Sequence, residues 1–122
     1  MFSIGQTYTR DEIYAAVGGS KQAYIPTKNG CVVAICVRTD LNPRAPREIL
    51  CGTGPIIAKA GRALASTTGK VPVFVKQAVN EWEYAGLYRV VGAHTSGTRF
   101  HALVSGSGRS PRDISIAIEM AP

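Results

Sequence analysis

The chain has 122 residues, which is enough for one domain with a single core and too few for two. Lysine and arginine number 14 and aspartate and glutamate 8, so the net charge is +6 and a negatively charged partner is expected. Because 45% of the residues are hydrophobic and only 18% are charged, a disordered basic tail and a highly charged coiled coil are excluded. We expect residues 1–122 to form one domain.

The first half of the chain predicts one helix and one buried strand. Thr9 and Glu12 have the spacing of a capping box, which predicts a helix over residues 10–17. The segment CVVAICVR from Cys31 is almost continuously apolar, so it predicts a strand in the middle of a sheet, buried on both faces. Prolines in the segment 40–48 predict a loop after this strand.

The second half predicts one more helix and several strands. Pro55 lies near the start of an amphipathic segment, IIAKAGRALAST, which predicts a short helix. Four segments predict strands: VPVFVK from Val71, GLYRVV from Gly86, RFHALV from Arg99 and DISIAIEM from Asp113. The small residues of the segment 105–111 predict a mobile loop. Many strands around two short helices predict an α+β fold with a small, partly closed β-barrel.

Targeting signals and metal motifs are not found in the sequence. No apolar run approaches the roughly 18 residues that span a bilayer, so no membrane partner is predicted. The first residues lack the basic start and apolar stretch of a signal peptide, which predicts a cytoplasmic protein. Cys31, Cys36 and Cys51 show no zinc-ligand spacing and are predicted to be free, mostly buried thiols. No metal and no cofactor are predicted.

Positive charge is concentrated between Lys21 and Lys76, where nine basic residues face only two acidic ones, Asp40 and Glu48. This stretch predicts an anion-binding face, and the alternative is a charged surface without a specific ligand. The sequence GTGP before the second helix adds free backbone amides, which can bind a phosphate or a polarised carbonyl.

Aromatic residues cluster in the segment NEWEYAGLYRV. Trp82 and Tyr84 are flanked by glutamates and are predicted to lie on a partly exposed strand, where aromatic rings beside cations can stack on unpaired bases. Tyr88 lies between apolar residues and is predicted to fill the core.

A nucleophilic enzyme would need a thiol or hydroxyl beside a positioned histidine. Cys51 precedes a helix start, which can lower the pKa of a thiol, and His94 and His101 are the available histidines. Neither histidine lies in a catalytic motif, so no enzymatic activity is predicted. A thiol-dependent enzyme that uses Cys51 remains the alternative from another functional class.

Five segments follow one another along the chain: LCGTGP, GRALA, GKVPVFV, EYAGLYRVV and SGTRFHALV. In this order they resemble the SET and RING-associated (SRA) domain, a PUA-like β-barrel that reads modified cytosine in DNA, and YAGLYRVV is the strongest match. The resemblance covers residues 40–104. In that family a base is flipped out of the duplex, stacked between aromatic rings and read on its polar edge by a carboxylate and backbone groups.

The resemblance also implies site residues for this sequence. Asp40 stands at the position of the carboxylate that accepts from the base edge. Leu50 stands where the family has a stacking tyrosine, and Tyr24 is a candidate to replace that ring. The remaining pocket wall is predicted to come from Cys51, Gly52, Gly54, Trp82 and Tyr84. The predicted phosphate contacts are Arg44, Arg47, Lys59, Arg62 and Lys76.

The sequence therefore predicts a nucleic-acid-binding module that reads a modified or flipped base, with DNA favoured over RNA. An RNA reader is the alternative within the same class, since PUA-like barrels also serve RNA. A small protein-interaction module is another alternative. A chain of this length is also expected to work with a separate effector protein, such as a nuclease.

Overall fold

The computed structural model describes residues 1–122 and contains eight strands, three α-helices and one 3-10 turn. The helices are α1 (Arg10–Val17), α2 (Pro55–Ala65) and α3 (Gly97–Val104), and the 3-10 turn is Pro111–Asp113. The strands are β1 (Thr7–Tyr8), β2 (Thr27–Lys28), β3 (Cys31–Val32), β4 (Ile35–Arg38), β5 (Glu48–Gly52), β6 (Val71–Ala78), β7 (Glu81–His94) and β8 (Ile114–Ala121). No helix is long and apolar enough to cross a membrane.

The main sheet runs in the order β4-β6-β7-β8-β5, with β1 paired to β7, while β2 and β3 form a separate hairpin. β4 and β6 are parallel, and the other pairs are antiparallel. The long strand β7 joins two halves, because its first part pairs with β6 and its second part with β8. It changes register beside Gly86, whose φ of 124° favours glycine. The α+β class is confirmed, but β4 and β5 do not pair, so the sheet is not closed into a barrel.

The strand predicted from Cys31 does not lie in the middle of the sheet. The segment divides into β3 and β4, and β4 is an edge strand of the main sheet. It is buried because both of its faces are covered: Ile35 and Val37 join the main core, and Cys36 packs in a second cluster with Ile13 of α1. A continuously apolar strand therefore indicates two covered faces, and here an edge strand has them.

The two predicted helices form as expected. The Thr9 side chain accepts from the Glu12 amide at 3.1 Å, and the Thr9 amide donates to the Glu12 carboxylate at 2.9 Å, which completes the capping box before α1. α2 has Pro55 in its first turn and buries Ala58, Gly61 and Leu64 against the sheet.

Residues 97–104 form the helix α3 rather than the predicted strand, so the fold has three helices and not two. Phe100, Leu103 and Val104 have the i, i+3, i+4 spacing of one helix face, and they pack with Leu50 and Ile114. Alternation around Arg99 and Phe100 is too short to outweigh this helical period.

An ion pair joins α3 to the sheet. Arg99 donates two hydrogen bonds to Glu119 on β8, at 2.5 and 3.2 Å, and His94 Nε2 lies 2.9 Å from the same carboxylate. The Arg99 guanidinium lowers the pKa of Glu119 to about 2. The carboxylate therefore stays charged over the physiological pH range, and α3 is held against β8.

Candidate functional site

A cavity of about 580 Å³ lies where the sheet fails to close. Cys36, Val37 and Arg38 of β4 line one side, and Leu50 and Gly52 of β5 line the other. The start of α2 and the loop after α1 complete the walls. Proteins bind small molecules in cavities of about 300–1,000 Å³, so this one can take a ligand of the size of a base or nucleotide.

Trp82 on β7 contributes an aromatic ring to the wall of this cavity. The side chain is buried, with 7% of its surface exposed, so the predicted partly exposed position on the strand is wrong. The Arg10 guanidinium lies 5.1 Å from the centre of the ring and the Lys76 ammonium 5.7 Å from it. These cation–π contacts hold two positive charges beside the ring.

Arg10, the first residue of α1, is 9% exposed and also lines the cavity. Its Nη2 donates to the carbonyls of Ser20 and Ala23, at 2.9 and 2.8 Å. These bonds fix the loop that leads to Tyr24. Two buried donors have no acceptor in the protein, Arg10 Nε and Trp82 Nε1. A buried N–H without an acceptor is unfavourable, so both groups call for an explanation.

Tyr24 supplies a second aromatic ring to the cavity lining. Its hydroxyl donates to the Ile57 carbonyl at 2.5 Å, which ties the loop after α1 to the first turn of α2. Burial raises the pKa of the Tyr24 hydroxyl well above its usual range, so the group remains a protonated donor.

The exposed edge of β5 is covered by side chains rather than by another strand. The Leu50 amide donates to Asn42 Oδ1 at 2.7 Å, and the Leu50 carbonyl accepts from Arg109 Nη1 at 3.0 Å. Arg109 Nη1 also donates to the Leu41 carbonyl at 3.0 Å. Because the amide and carbonyl of Leu50 are satisfied, this part of the edge of β5 can border a cavity without pairing with another chain.

The loop 105–111, predicted as mobile, is tied down by these contacts. Ser107 is buried, and its hydroxyl donates to the Val104 carbonyl at 2.5 Å and accepts from the Arg109 amide at 3.2 Å. The loop therefore positions Arg109 against β5.

Of the predicted pocket residues, the structure brings Tyr24, Gly52 and Trp82 together around the cavity. Tyr84, two residues further along β7, does not line the cavity and is buried in the aromatic cluster with Phe2 and Phe74. Gly54 is the N-cap residue of α2 and does not line the cavity. Tyr88, by contrast, packs against the main core as predicted.

Asp40 lies outside the cavity, in a shallow depression that shares only Arg38 and Lys76 with it. The side chain is exposed and pairs with Arg38 at 2.6 Å. The Arg38 hydrogen bond holds the pKa of Asp40 below its ordinary value. Asp40 therefore does not reach the cavity as the predicted base-edge acceptor, because it is already paired at the surface.

Cys51 is fully buried beneath α2, so it supports the cavity wall from behind rather than lining it. Its thiol lies in the main core, and burial raises its pKa to about 11. A thiol in this environment is protonated at neutral pH and is a poor nucleophile. The geometry thus disfavours the thiol-dependent alternative.

Thiol labelling tests this point. At pH 7.5 we expect iodoacetamide to modify one thiol rapidly, the exposed Cys31, and the buried Cys36 and Cys51 at least about a hundredfold more slowly. Mass spectrometry over time counts the modified thiols, and Cys31→Ser is the control that should remove the fast phase. Rapid modification of Cys51 in the folded protein would restore the thiol-dependent alternative.

Among the predicted phosphate contacts, only Lys76 lines the cavity. Arg47, Lys59 and Arg62 are exposed elsewhere on the surface. Arg44 is engaged within the protein, because its guanidinium donates to Glu48 and to the carbonyls of Leu103 and Ser105. Its role in the structure is to tie the end of α3 to the loop before β5.

Sequence reasoning missed Arg10, Asn42 and Arg109. Arg10 could have been singled out, because a cation in the first turn of a helix is unfavourable beside the positive end of the helix dipole. Its presence there indicates a role other than helix stabilisation. Arg109 was the only charge in a small-residue loop, which also marked it. Asn42 gave no signal, because its contact with Leu50 depends on how the loop 40–48 folds back.

Solved structures with this fold cover nearly the whole chain. A modification-dependent restriction endonuclease, TagI, matches with a TM-score of 0.60 and 17% identity over 99% of this chain and 50% of that chain. The SRA domain of SUVH5, in complex with hemi-methylated CG DNA, matches with a TM-score of 0.59 and 14% identity, over 97% of this chain and 86% of that chain. The Type IV phosphorothioation-dependent restriction endonuclease ScoMcrA matches with a TM-score of 0.56 and 16% identity, over 100% of this chain and 28% of that chain. The fold is therefore that of the SRA domain, as the sequence resemblance predicted.

The family assignment comes from residues 7–106, which match the family described as "Domain of unknown function (DUF6697)". The match covers most of the chain, and the chain belongs to this family. No curated protein sequence matches it. The chain spans half the length of TagI and 28% of ScoMcrA, so it corresponds to one part of each endonuclease.

Proposed function

We propose that the chain is a DNA-binding module that holds one flipped, modified base in the cavity between β4 and β5. The observation that carries the proposal is the cavity itself, which opens beside Trp82 in an SRA fold and is surrounded by cations. The SUVH5 structure contains hemi-methylated CG DNA, and TagI is named as modification-dependent. Both neighbours support a reader of modified DNA.

The cavity can offset the cost of taking a base out of the duplex. Flipping costs a few kcal/mol, and stacking of one base on an aromatic ring contributes about 1–3 kcal/mol. Tyr24 offers such a ring, and Leu50 and Ile57 offer apolar surface around it. Hydrogen bonds to the polar edge of the base supply the remainder.

The surroundings of the cavity suit a DNA duplex. Ile56 and Leu41 line it and leave 85% and 44% of their surfaces exposed, so they can contact the bases next to the vacated position. Lys76 in the lining, together with the exposed Arg47, Lys59 and Arg62, can neutralise phosphates.

We propose binding without catalysis, so cleavage or signalling would require a separate effector such as a nuclease. This proposal fits a chain that corresponds to half of TagI and a smaller part of ScoMcrA. The cytoplasmic location and the single-domain organisation predicted from the sequence are part of the same proposal.

Fluorescence anisotropy with DNA duplexes of matched sequence tests whether the protein reads a modified base. The duplexes carry cytosine, 5-methylcytosine, 5-hydroxymethylcytosine or 5-carboxylcytosine at one central position, and each is measured at two salt concentrations. We expect at least one modified duplex to bind about tenfold tighter than the cytosine duplex, a difference of roughly 1.4 kcal/mol. Because Trp82 is the only tryptophan, its emission should change when the preferred duplex fills the cavity.

A matched RNA duplex is the control for the type of nucleic acid, and we expect it to bind more weakly than the preferred DNA. Equal, weak and salt-sensitive binding of all duplexes, with no change in Trp82 emission, would contradict the proposal. That outcome would mean that the net charge of +6 binds phosphates without a specific site.

A further inference from the structure

From its hydrogen-bonding groups we infer that the cavity selects an acidic base, a pyrimidine that carries a carboxylate at C5. This inference rests on the proposed function and names the class of modification that the same cavity would read. It differs from the sequence expectation, in which a carboxylate of the protein accepts from the amino group of cytosine.

The charges around the cavity have one sign. Five cations line it, Arg10, Lys21, Arg38, Lys76 and Arg109, and no aspartate or glutamate does. Lys21 and Arg38 pair with carboxylates outside the lining, but Arg10, Lys76 and Arg109 have no carboxylate partner. Like charges in a partly enclosed site favour an anionic ligand, because its charge offsets their mutual repulsion.

Four acceptors in the cavity walls are already in use. The Ile57 carbonyl accepts from Tyr24, and the carbonyls of Leu41 and Leu50 accept from Arg109. Asn42 Oδ1 accepts from the Leu50 amide. An amino group on a bound base would have to share these four acceptors with the groups that already donate to them, so they do not favour a donor ligand.

Donors, in contrast, are left over. Arg10 Nε and Trp82 Nε1 belong to residues of the lining, are closed to solvent and have no acceptor in the protein. The guanidinium of Arg10 is held in place by its bonds to Ser20 and Ala23, so its remaining N–H groups are preorganised. A carboxylate is the group that best satisfies such a set, since it accepts several charge-assisted hydrogen bonds at once.

The test compares duplexes that differ only at the central cytosine: 5-methyl, 5-formyl and 5-carboxyl. The formyl group is a neutral acceptor of similar size, so it separates acceptor chemistry from charge. We expect the binding affinity to fall in the order carboxyl, formyl, methyl, and the carboxyl duplex to bind at least about tenfold tighter than the methyl duplex. An unmodified duplex with a 5′-terminal phosphate adds anionic charge without an acidic base, and we expect it to bind like its unphosphorylated form.

Two variants show whether the preference arises in the cavity. Trp82→Phe keeps an aromatic ring but removes the Nε1 donor, and we expect it to lower the carboxyl-over-methyl preference about fivefold. Lys76→Gln should lower the preference similarly. Lys70→Gln removes an exposed cation outside the cavity and should weaken all duplexes alike. Circular dichroism and thermal melting check that each variant is folded.

The outcomes separate this inference from the proposed function. If the methyl duplex binds as tightly as the carboxyl duplex or tighter, and changes Trp82 emission, the module reads modified bases but the acidic preference is wrong. If the terminal phosphate gives the tighter binding, the cavity recognises a phosphate and the inference is also wrong. If no duplex is preferred and Trp82 emission never changes, the reader function itself fails.

Discussion

Gly61→Val is expected to lower the free energy of unfolding by about 3 kcal/mol, because this glycine marks the closest approach of α2 to the sheet. A Cβ at this position would lie 2.9 Å from both Cβ and Sγ of Cys51, and 3.5 Å from the Tyr24 hydroxyl. Cys51 is on β5 and fully buried, so it has no room to retreat. Overpacking of this kind typically costs 1–3 kcal/mol, and valine adds two methyl groups beyond the first contact.

Urea unfolding of the variant and of the parent protein measures this difference. Gly69→Val is the matched control, since a Cβ there meets no atom within 4 Å and the change should stay within about 0.5 kcal/mol. Gly61→Ala should fall between the two, because alanine favours a helix by about 1 kcal/mol over glycine and offsets part of the clash. Equal stability of Gly61→Val and Gly69→Val would contradict the close packing of α2 on β5.

The position of α2 matters for function as well as for stability. Its first turn carries Ile57, which accepts from Tyr24 and lines the cavity. A helix displaced from β5 would break that bond and change the cavity. We therefore regard Gly61 as a residue that acts on the site through packing, from the side opposite to the ligand.

Local signals in the sequence predicted local structure well. The capping box at Thr9 and Glu12 identified α1, and Pro55 identified the start of α2, because each signal acts within one turn of helix. For α3 the apolar residues Phe100, Leu103 and Val104 fit a helix, but a short alternation next to them favoured a strand. The outcome depended on Leu50 and Ile114, which are distant in sequence.

The cavity was harder to predict, because it depends on the ends of the sheet. Tyr24, Gly52, Trp82 and Lys76 were chosen as site candidates by their residue type and by the resemblance to the SRA family, and all four line the cavity, while their part in binding stays a prediction. The place of Asp40 could not be predicted, since its pairing with Arg38 depends on the course of the loop after β4. Sequence position alone does not show whether a side chain points into a cavity or past its rim.

An SRA fold with an open sheet must satisfy the polar groups of its edge strands in another way. β5 does this with Asn42 and Arg109, and these contacts use acceptors that would otherwise face a ligand. The same feature that stabilises the edge therefore leaves the cavity rich in donors. Fold stability and ligand preference are linked through Arg109.

Arg109→Ala is accordingly expected to lower the free energy of unfolding by about 3 kcal/mol. The guanidinium donates to two carbonyls, Leu41 and Leu50, each at 3.0 Å, and hydrogen bonds to charged groups contribute about 1.5–3 kcal/mol each. The side chain is partly exposed, and water can hydrogen-bond to the two carbonyls once it is removed, so the expected loss is about 3 kcal/mol rather than the full sum. Urea unfolding measures the change, and Arg112→Ala, an exposed arginine of the 3-10 turn, is the matched control with an expected change within about 0.5 kcal/mol.

Loss of Arg109 should also free the edge of β5. An unpaired strand edge can pair with other chains. Arg109→Ala is therefore expected to self-associate at concentrations at which Arg112→Ala keeps the oligomeric state of the parent protein. Light scattering after size-exclusion chromatography distinguishes the two. Arg109→Lys tests the geometry, because a single ammonium cannot reproduce the planar group that spans both carbonyls, and we expect at most half of the stability to return. If Arg109→Ala matched Arg112→Ala in stability and in association, Arg109 would not be the residue that closes this edge.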